Sequence, residues 1–189
     1  MDKVYVSDGA GSGVWQKLTA NQLTGTGNPM GANYLTAEEQ RAQGVNSSTS
    51  TTSGWQTIVL TNSTNVISGA SLSTNTFTLP AGTYFVMGRM PVRGTGGNTG
   101  LTKFAVRLQN TSDATTIMTG TAAQSDSNMD SVGALNMFVT MSASIMGIFT
   151  LAGTKSVQFQ ARTQNGTYVA NNVTGDVEVY GQITFWKIA

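Results

Sequence analysis

The feature that most constrains this chain is a strict side-chain alternation. Val157, Phe159 and Ala161 are interleaved with Gln158, Gln160 and Arg162, and Phe104, Val106 and Leu108 with Lys103, Ala105 and Arg107. A period of two belongs to extended backbone and gives each segment one apolar and one polar face, the signature of antiparallel sheets sharing a core. The same pattern predicts strands over Trp55–Leu60, Asn65–Ser68, Thr74–Leu79, Thr83–Met90, Leu101–Asn110, Thr115–Gly120, Ser131–Thr140, Ser144–Leu151, Ser156–Thr163, Tyr168–Asn171 and Asp176–Ile188. In the last of these, Val177, Val179, Ile183 and Phe185 fall on one side and Glu178, Tyr180, Gln182, Thr184 and Trp186 on the other. Gly, Asn, Asp and Ser turns join the segments without intervening helices. The expected fold is therefore all-β, an antiparallel β-sandwich.

One corner is specified by backbone chemistry. In TFTLPAGTYFV, residues 76–86, Phe77 and Leu79 share a face, Pro80-Ala81-Gly82 redirects the chain, and Tyr84, Val86, Gly88 and Met90 share the next face. Pro80 lacks a ladder donor and Gly82 tolerates dihedrals that other residues resist.

Composition narrows the function. Among 189 residues, 10% are charged and the formal net charge is +1, so the surface is mostly hydroxyl and amide. None of the ten Lys and Arg residues clusters along the sequence, which argues against nucleic acid and leaves room for an acidic partner of modest charge. With no His and no Cys, Ser-His and Cys-His catalysis, disulfides and thiolate metal sites are excluded by inventory. The closest acidic pair of interest, Asp126 and Asp130, lacks the calcium-loop pattern and reads as a solvated loop. The glycine-rich stretch from Arg93 to Lys103 lacks the Gly-Lys-Ser/Thr ending of a phosphate loop and reads as a loop between strands. No placed carboxylate pair suggests glycoside hydrolysis. The expectation is a non-enzymatic protein without metal or cofactor.

The amino terminus shows no signal-like run and no stretch approaches a membrane span, so no membrane partner is expected. Val132–Gly153, the longest apolar-rich region, is broken by Gly, Asn, Ser and Thr and reads as two strands. Sequons at Asn46, Asn62, Asn110, Asn165 and Asn172 read as a by-product of composition. Tyr168, beside the Thr163–Thr167 loop, reads as strand packing more readily than as a sugar platform.

Three zones follow along the chain. Residues 1–43 form an arm in which Val4-Tyr5-Val6 and Val14-Trp15-Gln16-Lys17-Leu18 flank a glycine-rich turn as a hairpin-like pair, followed by a helical turn over Ala37–Gln43 with capping-box spacing at Thr36 and Glu39. Residues 44–53 read as a Ser/Thr-rich linker, with a boundary near Ser53. Residues 54–189 form the sandwich domain.

Several segments carry a family resemblance. They are Phe77–Tyr84, Lys103–Gln109, Thr116–Gly120, Phe149-Thr-Leu, Phe159–Arg162 and the closing Val177–Lys187. In this order they resemble the C1q/TNF-like jelly-roll domains of bacteriophage virion proteins, over about Trp55 to Ala189. Tyr5–Lys17 resembles short segments of phage capsid-fibre and tail-fibre proteins. The resemblance implies a jelly roll assembled as a homotrimer and located in the virion. The absence of a collagen-like stem and of cysteine sets the chain apart from secreted animal members.

Because the chain is short for a tail fibre, the preferred role is capsid decoration or head fibre. The arm residues Val4, Tyr5, Val6, Val14, Trp15 and Leu18 would attach to the major capsid protein or another virion protein, and the jelly roll would aid host adhesion. The alternatives are a tail-associated receptor-binding tip recognising a host surface glycan or protein, and an adhesive lectin-like module. Met137, Met141, Met146, Phe149, Tyr180 and Trp186 exceed what one core needs and are the expected trimer interface.

Overall fold

A computed structural model describes residues 4–7, 13–16, 33–93, 102–125, 140–164, 168–169 and 177–189. These residues form β1 (Val4–Ser7), β2 (Gly13–Gln16), β3 (Tyr34–Arg41), β4 (Ser50–Thr51), β5 (Gln56–Thr57), β6 (Asn62–Asn65), β7 (Ser71–Ser73) and β8 (Thr76–Leu79). They continue with β9 (Gly82–Arg93), β10 (Thr102–Asn110), β11 (Thr115–Ser125), β12 (Thr140–Leu151), β13 (Lys155–Thr163), β14 (Tyr168–Val169) and β15 (Glu178–Lys187). Two antiparallel sheets pack face to face as a β-sandwich, as the alternation requires. One is six-stranded, in the order β11-β10-β13-β8-β7 with β5 also on β13; the other is five-stranded, β12-β9-β15-β3-β6.

The core lies between the inner faces that the alternation assigned. Phe104, Val106, Leu108, Val157, Phe159 and Ala161 come from the six-stranded sheet; Tyr84, Val86, Met90, Ile145, Ile183 and Phe185 come from the five-stranded one. Phe185 meets the edge of Phe77 at a centroid distance of 4.9 Å, and Phe149 stacks on Tyr84 at 5.4 Å. Fully burying such a ring is worth about 1.5–3 kcal/mol, so the four rings together contribute about 6–12 kcal/mol, comparable with the whole net stability of an ordinary domain. Along one side the sheets close on each other through side chains: the Thr121 hydroxyl donates to the Ser144 carbonyl (3.1 Å) and accepts from the Ser144 amide (3.0 Å). Gly120 permits that approach, because a Cβ there would lie 2.4 Å from the Ser144 carbonyl oxygen.

The Pro80–Gly82 corner has a further role. The Tyr84 hydroxyl donates to the Pro80 carbonyl at 2.7 Å, and the Thr83 amide donates to the carbonyl of Ala189 at 2.8 Å. Gly82 has φ +150°, and a Cβ there would come within 2.5 Å of the Ala189 carbonyl oxygen. The corner thus seats the carboxyl-terminal residues, which a side chain at Gly82 would displace.

Two expectations are corrected here. The helical turn over Ala37–Gln43 is a strand, because Tyr34–Arg41 lies between β15 and β6 and buries Leu35, Ala37 and Glu39. The capping-box spacing of Thr36 and Glu39 carried no weight against two flanking ladders, a case of tertiary context overriding a local signal. The sandwich therefore includes residues from Tyr34 onward rather than starting at Gly54.

Residues 44–53 are likewise not a free linker. Glu39 is fully buried and collects donors from the Arg41 Nε (2.9 Å), the Ser47 hydroxyl, the Ser48 amide and the Thr49 hydroxyl (3.3 Å). The Thr49 hydroxyl oxygen in turn accepts from the Val59 amide at 2.8 Å. A buried carboxylate needs such partners. Low sequence complexity here marks a segment of hydroxyl donors wrapped around one acid.

The last strand departs from simple alternation. Its pairing with β3 shifts register between Val179 and Gln182, a bulge that reverses the inward phase. Glu178 and Tyr180 point inward before it, Ile183 and Phe185 after it. Gly181 makes this possible, since a Cβ there would lie 2.5 Å from the Ile58 Cγ2.

Candidate functional site

The residues expected at an interface divide sharply. Phe149 and Tyr180 belong to the core: Phe149 is packed on Tyr84, and Tyr180 donates its hydroxyl to the Val45 carbonyl at 2.9 Å. Tyr180 is inward because of the bulge, so assigning it to an interface is corrected, as is Phe149. Met146 and Trp186 do lie on the outer face of the five-stranded sheet. Met141 falls in β12 opposite Val92, with its side chain outside what is described, and Met137 lies outside the described residues.

Strand register shows what surrounds Met146 and Trp186. Ile148 is opposite Phe85, Phe85 opposite Trp186 and Trp186 opposite Tyr34, so one row of large side chains crosses four strands. The adjoining row begins Met146–Met87 before passing to Thr184, Thr36 and Thr64. Met146 is 69% exposed, Ile148 62% and Met87 49%, far more than a lone surface hydrophobe requires. Phe85 and Trp186 hold each other at 5.5 Å.

A polar row bounds the band. Arg89 Nε donates to Gln182 Oε1 at 2.8 Å, and Gln182 Nε2 to Glu38 Oε2 at 3.1 Å. An apolar patch with a polar rim is the usual form of a protein interface. Met87, Ile148, Phe85 and Tyr34 were missed from sequence. The signal was present in β9, where Phe85 and Met87 make the face opposite Tyr84 and Val86 as apolar as the core face.

The outer face of the six-stranded sheet is built in the opposite way. Gln158 Nε2 donates to Thr76 Oγ1 (3.0 Å), Gln160 Nε2 to Gln158 Oε1 (2.9 Å) and Arg107 Nε to Gln160 Oε1 (2.8 Å). The Thr57 hydroxyl adds a donor to Gln158 Oε1 at 3.0 Å, and Arg107 Nη1 reaches Thr116 Oγ1 at 3.2 Å. This chain of amides and hydroxyls links side chains of β5, β8, β13, β10 and β11 across the face.

At one end of that chain lies Trp55. The guanidinium carbons of Arg107 and Arg162 sit 4.4 and 4.6 Å from its ring centroid. Burial, and then the charge of Arg162, lower the Arg107 pKa from its ordinary value. The reading that basic residues do not cluster holds along the sequence and fails in space. Arg162 pairs with Ala105, which places it between Lys103 and Arg107 on one face.

The attachment residues Val4, Tyr5 and Val6 form β1, and Val14 and Trp15 lie in β2, with Tyr5 opposite Trp15 and Val6 opposite Val14. The expected hairpin is thus present, as a two-stranded sheet of its own. Leu18, the Asp126–Asp130 stretch and most of the Arg93–Lys103 loop lie outside the described residues, and of Tyr168 only its backbone pairing with Thr51 is described. No protein-family model matches the chain, and no curated protein matches it either.

Proposed function

We propose that this chain is a non-enzymatic structural protein of a bacteriophage virion, a capsid decoration or head-fibre protein that assembles as a homotrimer. The phage assignment rests on the sequence resemblance already described, which also supplies the jelly-roll connection of the strands. The observation that carries the assembly is the outward apolar band on one sheet, made of exposed Met146, Met87 and Ile148 and half-buried Phe85, Trp186 and Tyr34. Burying an exposed Met or Ile against a partner is worth about 1.5–3 kcal/mol per side chain, so several together support stable association.

In this reading the attachment arm is shortened to the residues before Tyr34. Val4, Tyr5, Val6, Val14, Trp15 and Leu18 dock onto the major capsid protein, and the sandwich is displayed outward. Trp15 is suited to anchoring, since a large ring is desolvated at small cost in side-chain entropy.

Two measurements test this. Light scattering on the purified full chain is expected to give three times 19.8 kDa; a monomer at micromolar concentration rejects the trimer. A reconstruction of the virion is expected to place the chain on the capsid shell. Finding it only at the tail tip rejects the capsid role in favour of a receptor-binding tip.

A further inference from the structure

From the charge arrangement around Trp55 we infer an anion site that takes the carboxylate groups of an acidic polysaccharide, with Arg107 and Arg162 as its paired guanidiniums and Lys103 at its edge. It rests on the face of the six-stranded sheet alone and is independent of where the chain sits on a virion.

The two arginines have no acidic partner among the described residues. The acidic side chains among the described residues are all engaged elsewhere. Glu39 and Glu178 are buried, Glu38 accepts from Gln182 on the other sheet, and Asp113 is bound by Lys155 Nζ at 2.8 Å. No described carboxylate therefore neutralises Arg107 or Arg162. Two guanidiniums held against one indole without a counter-charge repel each other, and a bound oxyanion relieves that repulsion.

The second element is rigidity. Arg107 is fixed by Gln160 and Thr116, and Gln160 by Gln158, so its fork is oriented before any ligand arrives. Preorganised donors lose little entropy on binding. Arg162 is exposed with its guanidinium against the Trp55 ring, and no residue among those described takes its N–H donors. Arginine forks match planar carboxylates by two parallel hydrogen bonds.

The third element is the surrounding chemistry. The Thr57 and Thr116 hydroxyls donate to Gln158 and Gln109, and their oxygens lie beside the basic trio, where they can accept from sugar hydroxyls. A basic site of only three cations, set in hydroxyls and amides, suits a sparsely charged saccharide better than a nucleic acid, whose binding depends on many phosphate contacts.

The probe is a short oligogalacturonate, followed by calorimetry with the full-length protein, with neutral dextran and single-stranded DNA as the other arms. Oligogalacturonate is expected to bind and dextran not to. Arg162→Gln, at an exposed position, is expected to weaken binding about tenfold, the effect of one charge-assisted contact, and Lys103→Gln less. The indole emission of Trp55 is expected to change on binding in the parent protein and not in Trp55→Phe. Unchanged affinity in Arg162→Gln overturns the site. DNA binding as tight as the saccharide's, and abolished by moderate salt, overturns the saccharide in favour of general polyanion attraction.

Discussion

The outer faces of the two sheets have the same backbone and opposite chemistry. On the five-stranded sheet, Ile148, Phe85, Trp186 and Tyr34 form one cross-strand row, with Met146 and Met87 beside it. On the six-stranded sheet, Thr76, Gln158, Gln160, Arg107 and Thr116 bond to one another across the strands. Side chains that satisfy one another leave little to gain from a large dry interface, whereas exposed apolar rows gain most when covered. One face therefore suits a dry protein interface, which we propose a second copy of the chain covers, and the other a polar ligand.

The largest expected effect comes from charging the apolar face. Met146→Glu combined with Ile148→Lys is expected to weaken self-association by on the order of a hundredfold while moving the melting midpoint little, since both side chains are exposed. Sedimentation and thermal melting together check this, and equal association in the double variant would remove the distinction between the faces.

Next in size is Gly181→Ala. The added methyl, 2.5 Å from Ile58 Cγ2, attacks the bulge that sets which side chains of β15 point outward. A loss of about 1–3 kcal/mol in chemical denaturation is expected.

The polar face is tested by Gln158→Ala, which strips partners from Gln160, Thr76 and Thr57. A loss of about 1–2 kcal/mol is expected, with oligomeric mass unchanged. A fall in mass would show that assembly also uses this sheet.

The smallest effect at neutral pH is that of Tyr84→Phe, about 1 kcal/mol for its hydrogen bond to the Pro80 carbonyl. Its alkaline signature is more telling. Burial raises the Tyr84 pKa from 10.0 to about 12, so the folded state disfavours the phenolate. The stability this contributes is complete below pH 10 and is lost as pH rises through about 12. Denaturation curves from pH 9 to 12 should show a steeper decline in the parent protein than in the variant.

Much of the architecture was legible in the sequence. The inward sets Phe104, Val106, Leu108 and Val157, Phe159, Ala161 are all buried as their alternation requires. The amino-terminal hairpin was legible from two extended pieces around glycines. The candidate sites were legible only in part. Met146 and Trp186 were singled out, but Phe149 and Tyr180 beside them in the expectation are core residues. Large apolar side chains look alike in sequence whether they face a core or a partner. β3 was misread because its alternation of Leu35, Ala37 and Glu39 ends in a carboxylate, and only the hydroxyls of residues 47–49 explain why that carboxylate is buried.

The sequence by itself determined the strand character, the all-β class and the two-faced pattern along most strands, because side-chain alternation is a local property of extended backbone. The tertiary structure alone decided which faces adjoin. Arg107 and Gln160 are 53 residues apart yet directly bonded, and pairing β10 with β13 is what brings Arg162 between Lys103 and Arg107. The bulge at Gly181 likewise turned Tyr180 inward while leaving Trp186 beside Phe85. Register is a long-range choice made by core packing, and a one-residue shift reverses every side chain beyond it.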